Sequence, residues 1–302
     1  MIIRKQDIME ALMDAFYAYS IVNEDSMKEV TSLGWQSCVL LIHLNQMNQP
    51  RTPSQLMDYF LVKPAAMSNL ITRLVKQGYV ERLTTPNSGK QRWIVLTPDG
   101  GQLASQLEAK VHHSTSAMVD VFNLKQQYFL QTLVRIYIRF VRGHVLEFQE
   151  ADWTPLDTFV YYYYQLYFGI EWAMQTKNRV PVSFKESRII RAVFVLEPQQ
   201  TNTIRSIATY LHLSISETSE LITRMSDRDI VQKRQNEKDQ RLTFVYLTDE
   251  TAEVVSTFVQ KQSQWVDDRV TKPKIKELIQ FFVVINKFTN YYKQYWKKKA
   301  LP

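Results

Sequence analysis

The 302-residue sequence predicts a mainly α-helical protein with two small β-hairpins, built as two copies of one domain. Three observations predict this. Only 7 of the 302 residues are glycine, against a usual share near ~7%. Dinucleotide folds, phosphate-cradling loops and turn-rich β-sandwiches need glycine where φ is positive, and neither G-x-G-x-x-G nor G-x-x-x-x-G-K-[ST] occurs. Residues 70–80, LITRLVKQGYV, return at 221–231 as LITRMSDRDIV, an offset of 151. The same offset carries Leu96-Thr97 onto Leu247-Thr248 without a gap, and Thr52, Leu56 and Tyr59 onto Thr203, Ile207 and Tyr210. In each half, apolar positions at helical spacing lead into two short strand-like runs around a polar loop. The expected domains are residues 1–150 and 151–302.

The first copy opens with an amphipathic helix over about 8–23, and a second follows over 34–46. Thr52-Pro53-Ser54 starts a short helix, because proline's missing N–H costs nothing in the first turn. The next helix runs from Pro64 to Gln77, and Gly78 is its expected C-terminal cap. Residues 79–83 and 93–96 flank a polar loop with Gly89 near its tip and read as a hairpin. Helices over 99–121 and 124–144 complete the copy. In the second copy helices are expected over 157–175, 183–196, 203–210 and 214–228. A hairpin follows over 230–247, then helices over 249–268 and 274–296. The junction falls at 149–155.

Composition excludes several classes. A 45% hydrophobic content supports a real core. No apolar run approaches the roughly 20 residues of a membrane-spanning helix. The start, Met1 to Lys5, leads into Gln6-Asp7 and Glu10 and is not a secretion signal. The one cysteine, Cys38, excludes an intramolecular disulfide and a cysteine-based zinc site. A cytoplasmic protein is expected. The five histidines show no ligand spacing, and no Ser/His/Asp set or carboxylate pair stands out. Neither a metal, a cofactor nor an enzymatic activity is expected. The net charge of +7 divides as +2 and +5 between the two halves. A polyanion partner would therefore have to be met by placed residues rather than a basic tail.

Short helix, turn, second helix and hairpin is the winged helix-turn-helix order. Its second helix enters the major groove of double-stranded DNA, and its hairpin, or wing, lies along the backbone or minor groove. The sequence resembles the MarR family of bacterial regulators. In the second copy the resemblance rests on Asn236-Glu237-Lys238-Asp239-Gln240-Arg241, similar to the family's Asp-x-Arg wing, and on Leu247-Thr248-Asp249-Glu250 after it. The first copy keeps Leu70-Ile71-Thr72-Arg73-Leu74, Gly78-Tyr79-Val80-Glu81-Arg82 and Leu96-Thr97-Pro98-Asp99-Gly100, but has Ser88-Gly89-Lys90 where Asp-x-Arg is expected. The tyrosines and tandem form resemble the two-domain members of the staphylococcal SarA branch. Family members are homodimers through their first and last helices. For this chain the resemblance implies a monomeric, single-chain pseudo-dimer that regulates transcription. Its two recognition helices would meet half-sites roughly 34 Å apart, and these could differ in sequence.

The expected DNA contacts of the first recognition helix are Lys63, Ser68, Asn69, Thr72, Arg73 and Lys76. In the second copy they are Ser214, Ser216, Thr218, Ser219, Thr223 and Arg224. Ser214 and Glu217 have capping-box spacing, and Glu220 replaces Asn69. Stronger helix contacts are thus expected from the first copy and stronger wing contacts from the second. Wing candidates are Lys90 and Arg92, then Lys233, Arg234, Lys238 and Arg241, with Asp239 orienting Arg241. Family members can hold small phenolic effectors beside the first helices, which implies a small aromatic effector near Tyr17, Trp35, Tyr163 and Trp172. The other reading of these aromatics is a packed interface between the copies, which suits large apolar rings with a polar handle. Cys38 is either a redox sensor or a buried core thiol, and its apolar helix favours the thiol. A second reading of the whole chain is a tandem winged-helix module that binds proteins rather than DNA. The basic wings and the LITR helix argue against it.

Overall fold

The computed structural model describes residues 5–84, 92–119, 122–147, 154–177, 180–211, 213–236, 239 and 241–269. The expected last helix at 274–296, the Lys297-Lys298-Lys299 tail, and Gly89, Lys90 and Lys238 lie outside them. In the first half the elements are α1 (Lys5–Lys28), α2 (Trp35–Met47), α3 (Pro53–Phe60), α4 (Pro64–Lys76), β1 (Val80–Thr84), β2 (Arg92–Leu96), α5 (Pro98–Val119) and α6 (Leu124–Arg142). In the second they are α7 (Pro155–Trp172), α8 (Phe184–Leu196), α9 (Ile204–Leu211), α10 (Ile215–Ser226), β3 (Val231–Gln235), β4 (Thr243–Leu247) and α11 (Asp249–Arg269). A π-helical turn, Ala173–Lys177, extends α7. The fold is therefore mostly helical with two-stranded hairpins.

Packing groups the chain into two compact units. Unit 1 is Met1–Ala18 with Ile170–Pro302, and unit 2 is Tyr19–Gly169. Both α1 and α7 run from one unit into the other. In unit 2, α2 is the central helix: Ser37 to Leu44 are buried without a break. A helix apolar on every side must be covered on every side. Leu56 and Phe60 of α3, Met67, Leu70 and Leu74 of α4, and Leu107 and Val111 of α5 are buried in the same unit. The tyrosine-rich part of α7 is built into this interior. Tyr164 donates to Asn23 Oδ1 (3.2 Å), Asn23 donates to Tyr19 Oη (3.0 Å), and Tyr19 and Thr115 hydroxyls meet at 2.6 Å. In unit 1, Val182, Ile189, Val193, Ile207, Ile222 and Val245 are fully buried and share one core with Leu211, Leu221 and Met225.

The helix ends follow their local sequences. Thr52 caps α3 through Gln55 in a reciprocal box, and Ser183 caps α8 through Glu186 in the same way. Each second helix of a helix–turn–helix pair ends on a left-handed residue. Gly78 has φ +79° and Asp229 has φ +56°, and they stand 151 positions apart. The following residues, Tyr79 and Ile230, donate back to Leu74 O and Met225 O, both at 3.0 Å. Both hairpins then pair in register, Val80 with Leu96 and Val231 with Leu247. Thr97 Oγ1 donates to Gly78 O (2.6 Å), and Thr248 Oγ1 donates to Asp229 O (3.0 Å).

Gly100 sits where a Cβ would lie 1.9 Å from the carbonyl oxygen of Tyr79, whereas a Cβ at Gly101 would meet nothing within 4 Å. Gly100→Ala is therefore expected to cost about 2 kcal/mol or more through backbone displacement. Gly101→Ala is expected to add about 0.5–1 kcal/mol by relieving glycine's entropy cost within a helix. Urea unfolding of the two variants checks this, and equal midpoints would refute the close contact.

Candidate nucleic-acid interface

Each unit presents a short helix, a second helix and a hairpin. On α4 the buried residues are Met67, Leu70, Ile71 and Leu74. That is the i, i+3, i+4, i+7 stripe of a helix lying on a core. The opposite face carries exposed Lys63, Ser68, Asn69, Arg73 and Lys76, with Thr72 partly covered at its edge. Lys63 is the N-cap residue and makes no side-chain cap at the exposed first turn of α4. Arg73 does not project freely: its guanidinium donates to Ser37 Oγ on α2 at 3.1 Å.

On α10 the buried residues are Thr218, Leu221, Ile222 and Met225, each 151 positions after its counterpart on α4. Thr218 takes the core position of Met67 and is fully buried. Its hydroxyl donates to Ser214 O at 2.9 Å, which makes burial of the polar group tolerable. The expectation that Thr218 faces DNA is corrected on that ground. Ser214, Ser216, Thr223 and Arg224 are exposed, and Ser219 is partly so. Ser214 Oγ accepts the Glu217 N–H at 3.0 Å and so caps α10. Glu217 does not complete a box; its carboxylate lies 3.5 Å from Lys185 Nζ. Arg224 lies 3.8 Å from Glu220 on the exposed face, which partly neutralises it.

The hairpins add a contact that the sequence reading missed. Arg82 on β1 donates to Thr72 Oγ1 of α4 at 2.8 Å. Lys233 on β3 donates to Thr223 Oγ1 of α10 at 3.3 Å. The two pairs are 151 positions apart at both ends. Each places a cation at the edge of a second helix, in the corner between helix and wing. The available signal was the shared offset: a basic residue on the first strand of each hairpin, ten residues after a threonine.

At the second wing Arg234 lies over the Tyr246 ring, 4.8 Å from its centroid. Arg241 is exposed, as is Arg92 at the first wing. Asp239 does orient the tip, but through the backbone. Its carboxylate accepts the Arg241 main-chain N–H at 3.0 Å, while its own N–H donates to Asn236 Oδ1 at 3.0 Å. The turn closes with Leu242 N–H donating to Asp239 O at 2.9 Å.

The aromatic candidates fall into the two units. In unit 2 the Tyr163 ring packs edge-on against Tyr19 at 4.4 Å, and Trp35 lies 5.1 Å from Tyr167 and 5.7 Å from Tyr164. Burial pushes the Tyr163 hydroxyl well above the usual tyrosine range. In unit 1 Tyr17 packs on Phe184 at 5.2 Å, and Trp172 is partly buried. A cleft of about 220 Å³ in unit 2 is lined instead by Leu44, Asn45, Asn48, Gln49, Pro50, Val95 and Leu96. His43 stacks on Tyr59 at 3.9 Å, and burial with nearby Arg51 pushes its pKa down to about 3. It stays neutral throughout the physiological range.

The comparisons with known proteins bear on this geometry. Residues 33–91 match the sequence profile described as MarR family. That span holds α2, α3, α4 and β1, the helix–helix–strand segment of unit 2. No curated protein matches the chain significantly. Among solved structures, the chain is similar to a mutant MarR from E. coli complexed with operator DNA. Identity is 19%, with 38% of this chain and 82% of that chain covered, at a TM-score of 0.34. RV1404 from Mycobacterium tuberculosis is 18% identical over 49% of this chain and 100% of its own, at a TM-score of 0.38. The heme sensor protein PefR from Streptococcus agalactiae, in complex with heme, is 19% identical over 38% and 81%, at a TM-score of 0.30.

Cys38 is fully buried, and its thiol points at Leu33 O, 3.7 Å away. Burial pushes its pKa up to about 11. At pH 7.5 the reactive thiolate is therefore scarce, and the side chain has no surface open to solvent. Folded protein is expected to react with Ellman's reagent at least roughly 100-fold more slowly than urea-unfolded protein. Comparable rates would restore Cys38 as a sensor candidate.

Proposed function

We propose that the chain is a transcriptional regulator of MarR type, built from tandem winged-helix copies, residues 1–150 and 151–302, which binds operator DNA as a single-chain pseudo-dimer. The observation that carries this reading is the paired cation of each copy, Arg82 on Thr72 and Lys233 on Thr223. A duplicated basic residue at the junction of helix and wing is where a phosphate between two groove contacts would lie. The MarR profile match over residues 33–91 supports the same reading. So does the common 151-residue offset of hairpin register, left-handed cap and threonine staple.

The copies meet DNA differently. The first offers an uncapped, exposed helix start with Lys63, Ser68, Asn69 and Lys76, and a wing with Arg92 and Lys90. In the second, Ser214 spends its hydroxyl on a cap and Glu220 lies beside Arg224, so Ser216, Ser219 and Thr223 contact more weakly. There Lys233, Arg234, Lys238 and Arg241 of the wing carry more of the binding. Half-sites of different sequence follow. A small aromatic effector near Trp35 and Tyr163, or near Tyr17 and Trp172, remains part of the reading implied by the family. A protein-only interaction module would not need a cation held against each second helix.

Selection from a random duplex pool is expected to return one site with two unlike halves. Binding should weaken steeply with salt, and Arg82→Ala and Lys233→Ala should each reduce the salt slope by about 1. Absence of duplex binding at low salt would overturn the proposal. Unchanged slopes would remove these two residues from the interface.

A further inference from the structure

We propose that Glu108, His112 and Asp157 form a binding site for a divalent transition-metal ion of the zinc type. Glu108 and His112 stand one turn apart on α5 and so share a face. Asp157 comes from the first turn of α7. All three belong to unit 2, all are partly buried, and their ligand atoms lie within 4.8 Å of one another. One imidazole nitrogen and two carboxylate oxygens suit zinc-type ions better than calcium or magnesium. Bonds of about 2.0–2.2 Å need ligand atoms roughly 3.3 Å apart, so small side-chain rotations complete the site.

The support around these groups is that of a metal site. Glu108 Oε2 accepts from Asn45 Nδ2 at 2.7 Å. Asp157 Oδ2 accepts the Thr154 N–H at 2.8 Å and the Thr154 hydroxyl at 2.6 Å. Each carboxylate is thus held by one oxygen, which fixes its direction before a ligand arrives. The remaining oxygen of Asp157, Oδ1, faces His112 Nε2 at 3.0 Å. That nitrogen is buried, and the approach lacks the alignment of a regular hydrogen bond. A proton on Nε2 satisfies this pair as an ion pair, whereas a metal ion would take both atoms together with Glu108, a third donor that a bridging proton does not use. A bound ion would tie α5 to the start of α7, the helix whose tyrosines fill unit 2. In the sequence the signal for this pair is Glu-x-x-x-His at 108 and 112.

The test is titration of the full chain, stripped with EDTA, with Zn²⁺ followed by calorimetry and with Co²⁺ followed by absorption. One site per chain is expected, together with a Zn²⁺-dependent rise in melting temperature. His112→Ala and Glu108→Gln should each weaken Zn²⁺ binding by about 10- to 100-fold, while His113→Ala, an exposed neighbour, should leave it unchanged. Far-UV circular dichroism of each variant separates loss of the ligand from loss of fold, and Glu108→Gln leaves the Asp157–Thr154 cap intact. No binding of Zn²⁺ at 1 mM, or equal binding by wild type and a folded His112→Ala, would overturn the proposal and leave a proton as the bridge. The result is independent of duplex binding.

Discussion

Each helix–wing junction turns on one backbone residue. A helix that ran straight past Lys76 or Ser226 would carry the following strand away from the core. A left-handed residue, Gly78 or Asp229, reverses the chain instead, and the next N–H closes on the last turn. The threonine after the hairpin, Thr97 or Thr248, then bonds the carbonyl of that same residue. The hairpin is thus pinned at its start and its end to the C-terminus of the second helix. Only with that corner fixed can Arg82 reach Thr72 and Lys233 reach Thr223.

The two halves of the chain reach this corner from different sequences. Glycine takes a positive φ at little cost, and aspartate takes it at some cost because its short polar side chain tolerates the conformation. The contact below the corner differs as well. Gly100 leaves room for the Tyr79 carbonyl, while its counterpart Thr251 has its N–H and hydroxyl engaged with Thr248 Oγ1. The same geometry is therefore kept by a missing side chain in one half and a hydrogen-bonded one in the other.

Packing of α2 and α7 sets the second constraint. Tyr161 to Tyr164 are buried without interruption, so α7 cannot lie on a surface. Two of its phenols and one of its main-chain carbonyls bond groups of the first half. Tyr164 reaches Asn23, Tyr162 reaches Glu147 at 2.8 Å, and the main-chain carbonyl of Tyr161 accepts from the Tyr59 hydroxyl at 3.1 Å. Arg142, fully buried at its side chain, donates to the carbonyls of Tyr59 and Asp58. This polar network makes the tyrosine helix part of unit 2, although it follows the first half in sequence.

Apolar spacing, proline starts and the 151-residue offset were local facts, and among the described residues the sequence by itself determined the helices, the hairpins and their order from them. It also placed Ser68, Asn69, Lys76 and Arg241 on exposed faces, because a polar residue beside an apolar stripe has only solvent to face. Thr218 shows where that rule stops. A threonine that bonds the carbonyl four residues back can sit in the core, and only its burial at the position of Met67 reveals it. The reach of Arg82, the use of the Arg241 N–H rather than its guanidinium by Asp239, and the meeting of Glu108, His112 and Asp157 were likewise decided by tertiary structure. So was the division at residues 18 and 169, since helix periodicity says which face of α1 or α7 is apolar but not which neighbours will cover it.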